Sequence, residues 1–453
     1  MLTYQLNFPT PPKICHICDT VDSTKTLYCM QLRKNISHTL KTSFGNAIEW
    51  YDFCLFGYFS ATIGKLFFPT QSAFSSLLLA FATFAVGFMA RPLGGIVFGW
   101  IGDRVGRYFS MNLAIIIMGL STLLIAFLPS YASIGIAAPI LLVVIRIIQG
   151  ISAGGQYANL LVVTAENKQL KNTGFYSGIA ITVSLVGFLL ASATSYLVLN
   201  FTPPSLEAYA WRMTFFFGGV LLAIYLLVIR SQFKHEEGKT FDKSKAPTSN
   251  TYKYLWQEHK LSFSIVVLFS AALGSMFYID FVYFVTFFTQ YNHLTMSESL
   301  TLNTISLLVA CLLYPFFGLL SDKFGRAKMT LYGIIIHIVL LYPAIHLVLS
   351  HNMASMAFGL LMLVALGCWV QGTITPIFSE IYPAHVRSSG CCASYGIGAA
   401  LSGFSPMLAT QLDHNFTYGF VYIFIGALAI GAICATILMT NERLENQLVA
   451  QHS

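Results

Sequence analysis

From residue 39 onward the chain is a succession of long apolar blocks broken by short polar stretches. The blocks run from about 39 to 67, 73 to 101, 110 to 129, 134 to 158, 173 to 199, 211 to 230, 261 to 290, 298 to 320, 329 to 349, 354 to 379, 389 to 412 and 417 to 439. Each is long enough for a helix to cross a hydrocarbon core of roughly 30 Å at about 1.5 Å per residue. Backbone groups in lipid must be satisfied within the protein, so blocks of this length predict helices. The pattern therefore predicts an all-α membrane protein with twelve transmembrane helices, spans 1 to 12.

The longest polar gap, Ser231 to Lys260, contains HEEGKTFDKSKAPTSN and separates six spans from six. The expected organisation is a tail over 1–38, a six-helix bundle over 39–230, a linker over 231–260, a second six-helix bundle over 261–439 and a tail over 440–453. An internal echo supports two related bundles: GDRVGR at 102–107 follows span 2, SDKFGR at 321–326 follows span 8, and Glu166 and Glu380 each follow the fourth span of their half.

Composition agrees, with 56% hydrophobic and only 9% charged residues against roughly 25% charged in soluble domains. The net charge of +7 raises the question of nucleic acid, but the placement of the charges answers it. Of the 25 Lys and Arg, only Lys65 lies in a loop that joins an odd to an even span, and Arg91, Arg146 and Arg212 lie inside spans. The other basic residues flank the opposite face, so both termini are expected to be cytoplasmic, with lipid bilayer and no nucleic acid as the partner. The first 35 residues read as lacking a cleavable signal, and Met30 opens a basic lead into span 1 that needs nothing upstream. CHIC at Cys15–Cys18 has no second pair to make a metal site, and the cysteines in the spans read as small hydrophobes. No ATP-binding motif or catalytic nucleophile arrangement is present; neither an enzyme nor a cofactor or metal is expected.

The repeated DxxGR motif, the six-plus-six arrangement and RIIQG on span 4 resemble the major facilitator superfamily of secondary transporters. GNAIEWYDFCLFGYF, FMARPLGGIVFGWIGDRVGR, RIIQGISAGG, the Trp211–Arg212 pair and EIYPAHVRSSG look like its metabolite:proton symporter family. That resemblance implies the major facilitator fold, a cavity lined by spans 1, 4, 7 and 10, and proton-coupled import of a small organic acid, amino acid or betaine through the cell inner membrane, by a protein that works as a monomer. A facilitative uniporter or exchanger, and a non-transporting solute sensor, are the alternatives. There are departures. Gly154, Gly155 and Gln156 stand where that family usually has GGE, and Asn172 and Thr173 precede Gly174 in place of its usual Arg. The coiled coil of osmosensing carriers is missing from the short tail after span 12, and span 5 lacks the Gly-Pro pair of drug antiporters.

A charge near the bilayer midplane costs about 2.5–3.5 kcal/mol on the insertion scale, so one kept there has a partner or a task. Five stand out: Glu49 and Asp52 on span 1, Arg91 on span 2, Arg146 on span 4 and Asp280 on span 7. Glu49 and Asp52, three residues apart, share a helix face, where two like charges in low dielectric do not both ionise freely; with Asp280 they are the expected proton-coupling groups, Asp52 first. Arg91 is expected to form an ion pair. Arg146, Gln149, Ser152 and Gln156 make a polar stripe on span 4, and the Arg146 fork suits a solute carboxylate or, equally, Asp52. Asp280, Tyr283, Thr286 and Gln290 on span 7, and Trp369, Gln371, Thr375 and Ser379 on span 10, are further expected cavity groups, though Tyr283 and Trp369 also suit ordinary packing. Thus Arg146, Gln149, Gln156, Tyr283, Trp369 and Gln371 are the expected solute ligands. Pro315 and Pro376 are expected kinks. In GDRVGR, Gly102 and Gly106 permit a tight turn, Asp103 favours exposed helix N–H groups, and Arg104 and Arg107 stay on the basic face; Asp322, Gly325 and Arg326 are the second copy. Both loops are expected to act as conformational latches.

Overall fold

The computed structural model describes residues 23–166, 172–203, 207–236, 251–350 and 352–440. CHIC, most of the first tail, the middle of the linker and the last tail lie outside them. The described residues are helical almost throughout, with no strand. Span 1 is α1 (Ser23–Tyr58) continued by α2 (Ser60–Phe67), and span 2 is α3 (Ala73–Met89) and α4 (Arg91–Arg104). Spans 3 to 6 are α5 (Arg107–Phe127), α7 (Ala137–Glu166), α8 (Thr173–Phe201) and α9 (Glu207–Glu236), with the short α6 (Tyr131–Ile134) before α7. After α10 (Thr251–Glu258) come α11 (Lys260–Tyr278) and α12 (Phe284–Gln290) of span 7, α13 (Met296–Phe324) and α14 (Arg326–Val348). Span 10 is α15 (Met353–Ile374) and α16 (Ile377–Glu380), span 11 is α17 (Arg387–Ser402) and α18 (Ser405–Asn415), and span 12 is α19 (Phe420–Thr440). Ten of the described segments are long and apolar enough to cross a membrane; the exceptions are span 1, with its polar lead, and span 11, broken after Ser402.

The interruptions have local causes. Pro92 sits in the first turn of α4, where its missing N–H costs nothing, and the helix is re-started there. Pro376 separates α15 from α16, and Pro406 opens α18. Pro315, by contrast, lies within the unbroken α13. In span 7 one π turn, Ile279–Tyr283, is inserted between α11 and α12. Such a turn holds an extra residue and rotates everything after it relative to α periodicity.

The two halves of the chain meet chiefly where α8 lies along α13 and α4 along α17. Glycine lets the backbones touch, as lipid-embedded packing demands. A methyl at Gly318 would stand 2.2 Å from the carbonyl oxygen of Gly174, and one at Gly154 would stand 2.1 Å from that of Arg91. Arg212 donates from α9 to the carbonyls of Ala126 (3.1 Å) and Leu128 (2.5 Å), placing a cation at the C-terminus of α5.

Candidate functional site: buried ion pairs around a closed cavity

Glu49 and Asp52 are both fully buried on α1, and each faces a different arginine. Asp52 Oδ2 accepts from Arg146 at 2.7 Å and Oδ1 accepts from the Gln149 amide at 2.8 Å. Gln149 in turn accepts from Arg146 (2.7 Å) and donates to Thr122 (3.3 Å). These side chains form a closed cluster in which both oxygens of Asp52 are used. Glu49 is less tied: Oε1 accepts from Arg91 at 3.2 Å, while Oε2 has no hydrogen-bond partner.

Aromatic rings complete the surroundings of both guanidinium groups. Arg91 stands over Phe88 (4.2 Å) and Phe53 (4.6 Å), and Arg146 over Phe56 (3.7 Å) and the other side of the same cluster at Phe53 (5.4 Å). A ring face attracts a desolvated cation with about 2 kcal/mol or more. Each arginine nevertheless keeps two nitrogens without a hydrogen-bond partner: Nε and Nη1 of Arg91, Nε and Nη2 of Arg146.

Between the halves lies a cavity of about 30 Å³, lined by residues of spans 1, 4, 5, 7, 10 and 11. That is room for about one water, so the cavity is closed. Its polar rim is Trp50, Tyr157, Tyr278, Gln371, Tyr395 and a set of small hydroxyls including Ser184 and Ser402. Arg91 and Glu49 are near enough to Tyr278 and Tyr395 to act on them electrostatically.

Of the expected solute ligands, Gln371 lines this cavity, where its Oε1 accepts from Tyr314 at 2.7 Å. Arg146 and Gln149 belong to the Asp52 cluster, and Gln156 is buried with both amide atoms unpartnered. Tyr283 donates at 2.5 Å to Asp413 on α18, whose other oxygen accepts from the Phe420 N–H at 3.0 Å. Trp369 is stacked on Phe317 (5.2 Å) and donates to the Met329 carbonyl (3.0 Å). Asp280 lies in the π turn, 3% exposed, and lines a separate void beside Gln371. Sequence reasoning passed over Trp50, Tyr157, Tyr278 and Tyr395. Trp50 adjoins the flagged Glu49 and Tyr157 adjoins Gln156, which was the available signal; Tyr395 had none.

On the basic face the two DxxGR loops each reach across to the other half. Asp103 accepts from the N–H of Ser389 at 2.9 Å, from the Ser389 hydroxyl and from Arg107, and Arg107 continues to Glu166 at 3.3 Å. Asp322 accepts from the N–H groups of Gly174 (2.9 Å) and Phe175 (3.0 Å) and from Arg326 (3.2 Å); Arg326 pairs with Glu380, which also accepts from Thr173 (2.9 Å). Each carboxylate thus sits on the first turn of a helix from the opposite half, α17 or α8, where free N–H groups and the helix dipole favour an anion. Gly106 (φ 141°) and Gly325 (φ 90°) supply the backbone turn, while Gly102 is buried inside α4 against Ser388. Arg104 is exposed over Trp100. On the other face, Asn303 bonds Tyr58, Ser192 bonds Thr304 at 2.6 Å, and Phe74 packs on His414 at 4.4 Å. The halves thus touch on both faces.

Among the described residues no three His, Cys, Asp or Glu side chains converge as a metal site. Comparison with known proteins agrees with this helical architecture. A Major Facilitator Superfamily model matches residues 42–406 and, again, 281–451. The chain is 31% identical to a proline/betaine transporter of Salmonella typhimurium over 395 residues, covering 84% of this chain and 78% of that one. It is 30% identical to a citrate-proton symporter of Klebsiella pneumoniae over 390 residues (83% and 85%) and 31% identical to a shikimate transporter of Escherichia coli over 414 residues (88% and 93%). Among solved structures it shares the fold of the proton:xylose symporter XylE bound to 6-bromo-6-deoxy-D-glucose, with a TM-score of 0.73 at 16% identity over 90% of this chain and 95% of that one. The chain belongs to the major facilitator superfamily, as a multi-pass membrane transporter of the metabolite:proton symporter type and not an enzyme.

Proposed function

We propose that the protein is a proton-coupled importer of a small polar organic solute, an organic acid, amino acid or betaine, working by alternating access between its two six-helix halves. The observation that carries this reading is the fully buried Asp52–Arg146–Gln149 cluster on spans 1 and 4, two of the spans that also line the central cavity. Protonation of Asp52 removes the charge that holds Arg146 and Gln149, and so ties a proton to a rearrangement of spans 1 and 4. Glu49 and Asp280 are the further acids available for coupling. A cavity whose lining holds no arginine, lysine or histidine suits a zwitterion or monoanion better than a tricarboxylate, whose three charges would meet no cation on its wall.

The loops after spans 2 and 8 act in this scheme as paired latches that must open for the basic face to part. By the positive-inside rule that face is cytoplasmic, as are both termini, and the membrane is a bacterial inner membrane, a reading supported by the name of one relative, the inner membrane metabolite transport protein YhjE of Escherichia coli. The two bundles, 39–230 and 261–439, are the bodies that rock, joined by the linker 231–260.

Purified protein in liposomes tests the coupling directly. Asp52→Asn keeps the shape and removes the titration, so it is expected to abolish uphill accumulation of solute under an imposed pH gradient while sparing solute exchange at equal pH. An Asp52→Asn protein that concentrates solute as well as the parent overturns the assignment and leaves Glu49 or Asp280 as carrier. A parent that only equilibrates solute is a facilitative uniporter or exchanger, with its acids kept as structural ion pairs.

A further inference from the structure

The midplane of the second half holds one acid, Asp280, and the geometry points to it as the seat for the ammonium group of a zwitterionic solute. This rests on the reading above that the closed cavity is where solute binds. Asp280 is 3% exposed, its Oδ1 has no hydrogen-bond donor, and none of the ion pairs among the described residues includes it. It lines a void of about 10 Å³ together with Tyr314, Cys368, Gly367 and Gln371. Gln371, Leu273 and Phe277 line both this void and the central cavity, so the two share one wall.

No arginine, lysine or histidine lines either space. A carboxylate buried without a donor is strongly disfavoured, so Asp280 either keeps its proton or is answered by a group from outside the protein. A cation carrying N–H donors answers both its charge and its empty lone pairs. Aromatic side chains already line the place, Phe277, Phe281 and Tyr314, against which the rest of the cationic group can pack. Space is provided too: α15 carries Gly367 opposite the carboxylate, where even a methyl group would only come to 3.5 Å from Oδ2. The π turn is what aims Asp280 this way, since the extra residue at Ile279–Tyr283 separates its direction from that of Tyr283, which faces Asp413. The basic partner for the solute's carboxylate is then on the first half, where Arg91 keeps two unpartnered nitrogens close to the Trp50 and Tyr278 side of the cavity.

The test uses two probes of one ring size, pipecolate and cyclohexanecarboxylate, which share the carboxylate and differ in the ammonium nitrogen. Binding to the purified full chain is measured by calorimetry at one pH with no gradient. The parent is expected to favour pipecolate by about tenfold or more, because a site built to bond a polar group rejects the analogue that lacks it. Asp280→Asn is expected to bring pipecolate down to the level of cyclohexanecarboxylate and leave the latter unchanged. The proposal fails if folded Asp280→Asn keeps the preference, if the parent binds the two alike, or if it binds neither. Should Asp280→Asn not fold, Gly367→Ala decides: it keeps the carboxylate and narrows the space beside it, and is expected to weaken pipecolate selectively; an equal effect on both probes, or none, overturns the assignment. Proton coupling at Asp52 is read separately from gradient-driven accumulation, so either reading can fail while the other stands.

Discussion

The two halves of this transporter are nearly copies on the basic face and unlike at the midplane. Asp103 with Arg107 and Glu166 in the first half corresponds position for position to Asp322 with Arg326 and Glu380 in the second, and both aspartates sit on the first turn of a helix from the other half. At the midplane, the first half has two acid–arginine pairs and the second has Asp280 without an arginine. On the proposed reading opening and closing falls to both halves alike, so the same device serves twice. Chemistry needs poles of different sign on the two sides of a cavity, and repetition there would defeat it.

The comparison can be broken most severely at its midplane side. Arg146→Ala leaves Asp52 buried against Gln149 alone, and the loss of one partner from a buried pair is expected to cost roughly 3–5 kcal/mol. Thermal unfolding in detergent should show it, with Asp52→Asn in the same molecule recovering most of the loss. If Arg146→Ala is as stable as the parent, the cluster is not the internal fastening described here.

Next in size is the distinction between the two pairs within the first half. Glu49 uses one oxygen where Asp52 uses both, so Glu49→Gln should slow uphill accumulation several-fold without abolishing it, in contrast to Asp52→Asn. Equal losses from the two, in liposomes of matched protein content, would erase the difference between a closed and a half-open pair.

The likeness of the latches makes its own forecast. Asp103→Asn and Asp322→Asn should each reduce the transport rate more than the equilibrium affinity, and by similar factors, because each removes one charge from a helix N-terminus worth about 0.3–1 kcal/mol, or up to about 2 kcal/mol when partly buried. Stopped-flow uptake beside equilibrium binding measures both. A fall in affinity matching the fall in rate at either site would mean that the loop shapes the cavity.

Smallest is Trp369→Phe. It removes the bond to the Met329 carbonyl and keeps an aromatic ring on Phe317. About 0.5–1.5 kcal/mol of stability should go, with solute affinity unchanged. A large affinity loss would bring Trp369 back among the solute ligands.

Helix number and the repeated loops could be read from the chain because each depends on residues close in sequence: about twenty apolar positions, or the five residues of DxxGR. What each loop touches could not, since Ser389 is 286 residues from Asp103 and nothing local specifies it. Glu49 and Asp52 were legible as a pair on one face, yet about 60° separates residues three apart on a helix, and packing against α4 and α7 gave that difference a separate arginine for each. Asp280 and Tyr283, both expected in the cavity, meet different surroundings for a more definite reason: the π turn Ile279–Tyr283 holds both and breaks the α-helical period that would relate them. Pro376 ends a helix and Pro315 does not, although both read alike, because only the surroundings determine whether the freed carbonyl is answered.

The bonds from Asp322 to the N–H groups of Gly174 and Phe175 are bonds to backbone, and a backbone amide is offered by any residue but proline. Those two bonds therefore ask nothing of the side chain of Phe175, but the segment is not free at its neighbours: a methyl at Gly174 would stand 2.8 Å from Asp322 Oδ1, and Thr173 lends its hydroxyl to Glu380. The grip thus falls on the backbone of the receiving helix, with Asp322 on one side and the facing glycines Gly174 and Gly318, neither of which has room for a methyl, holding the two chain segments at bonding distance.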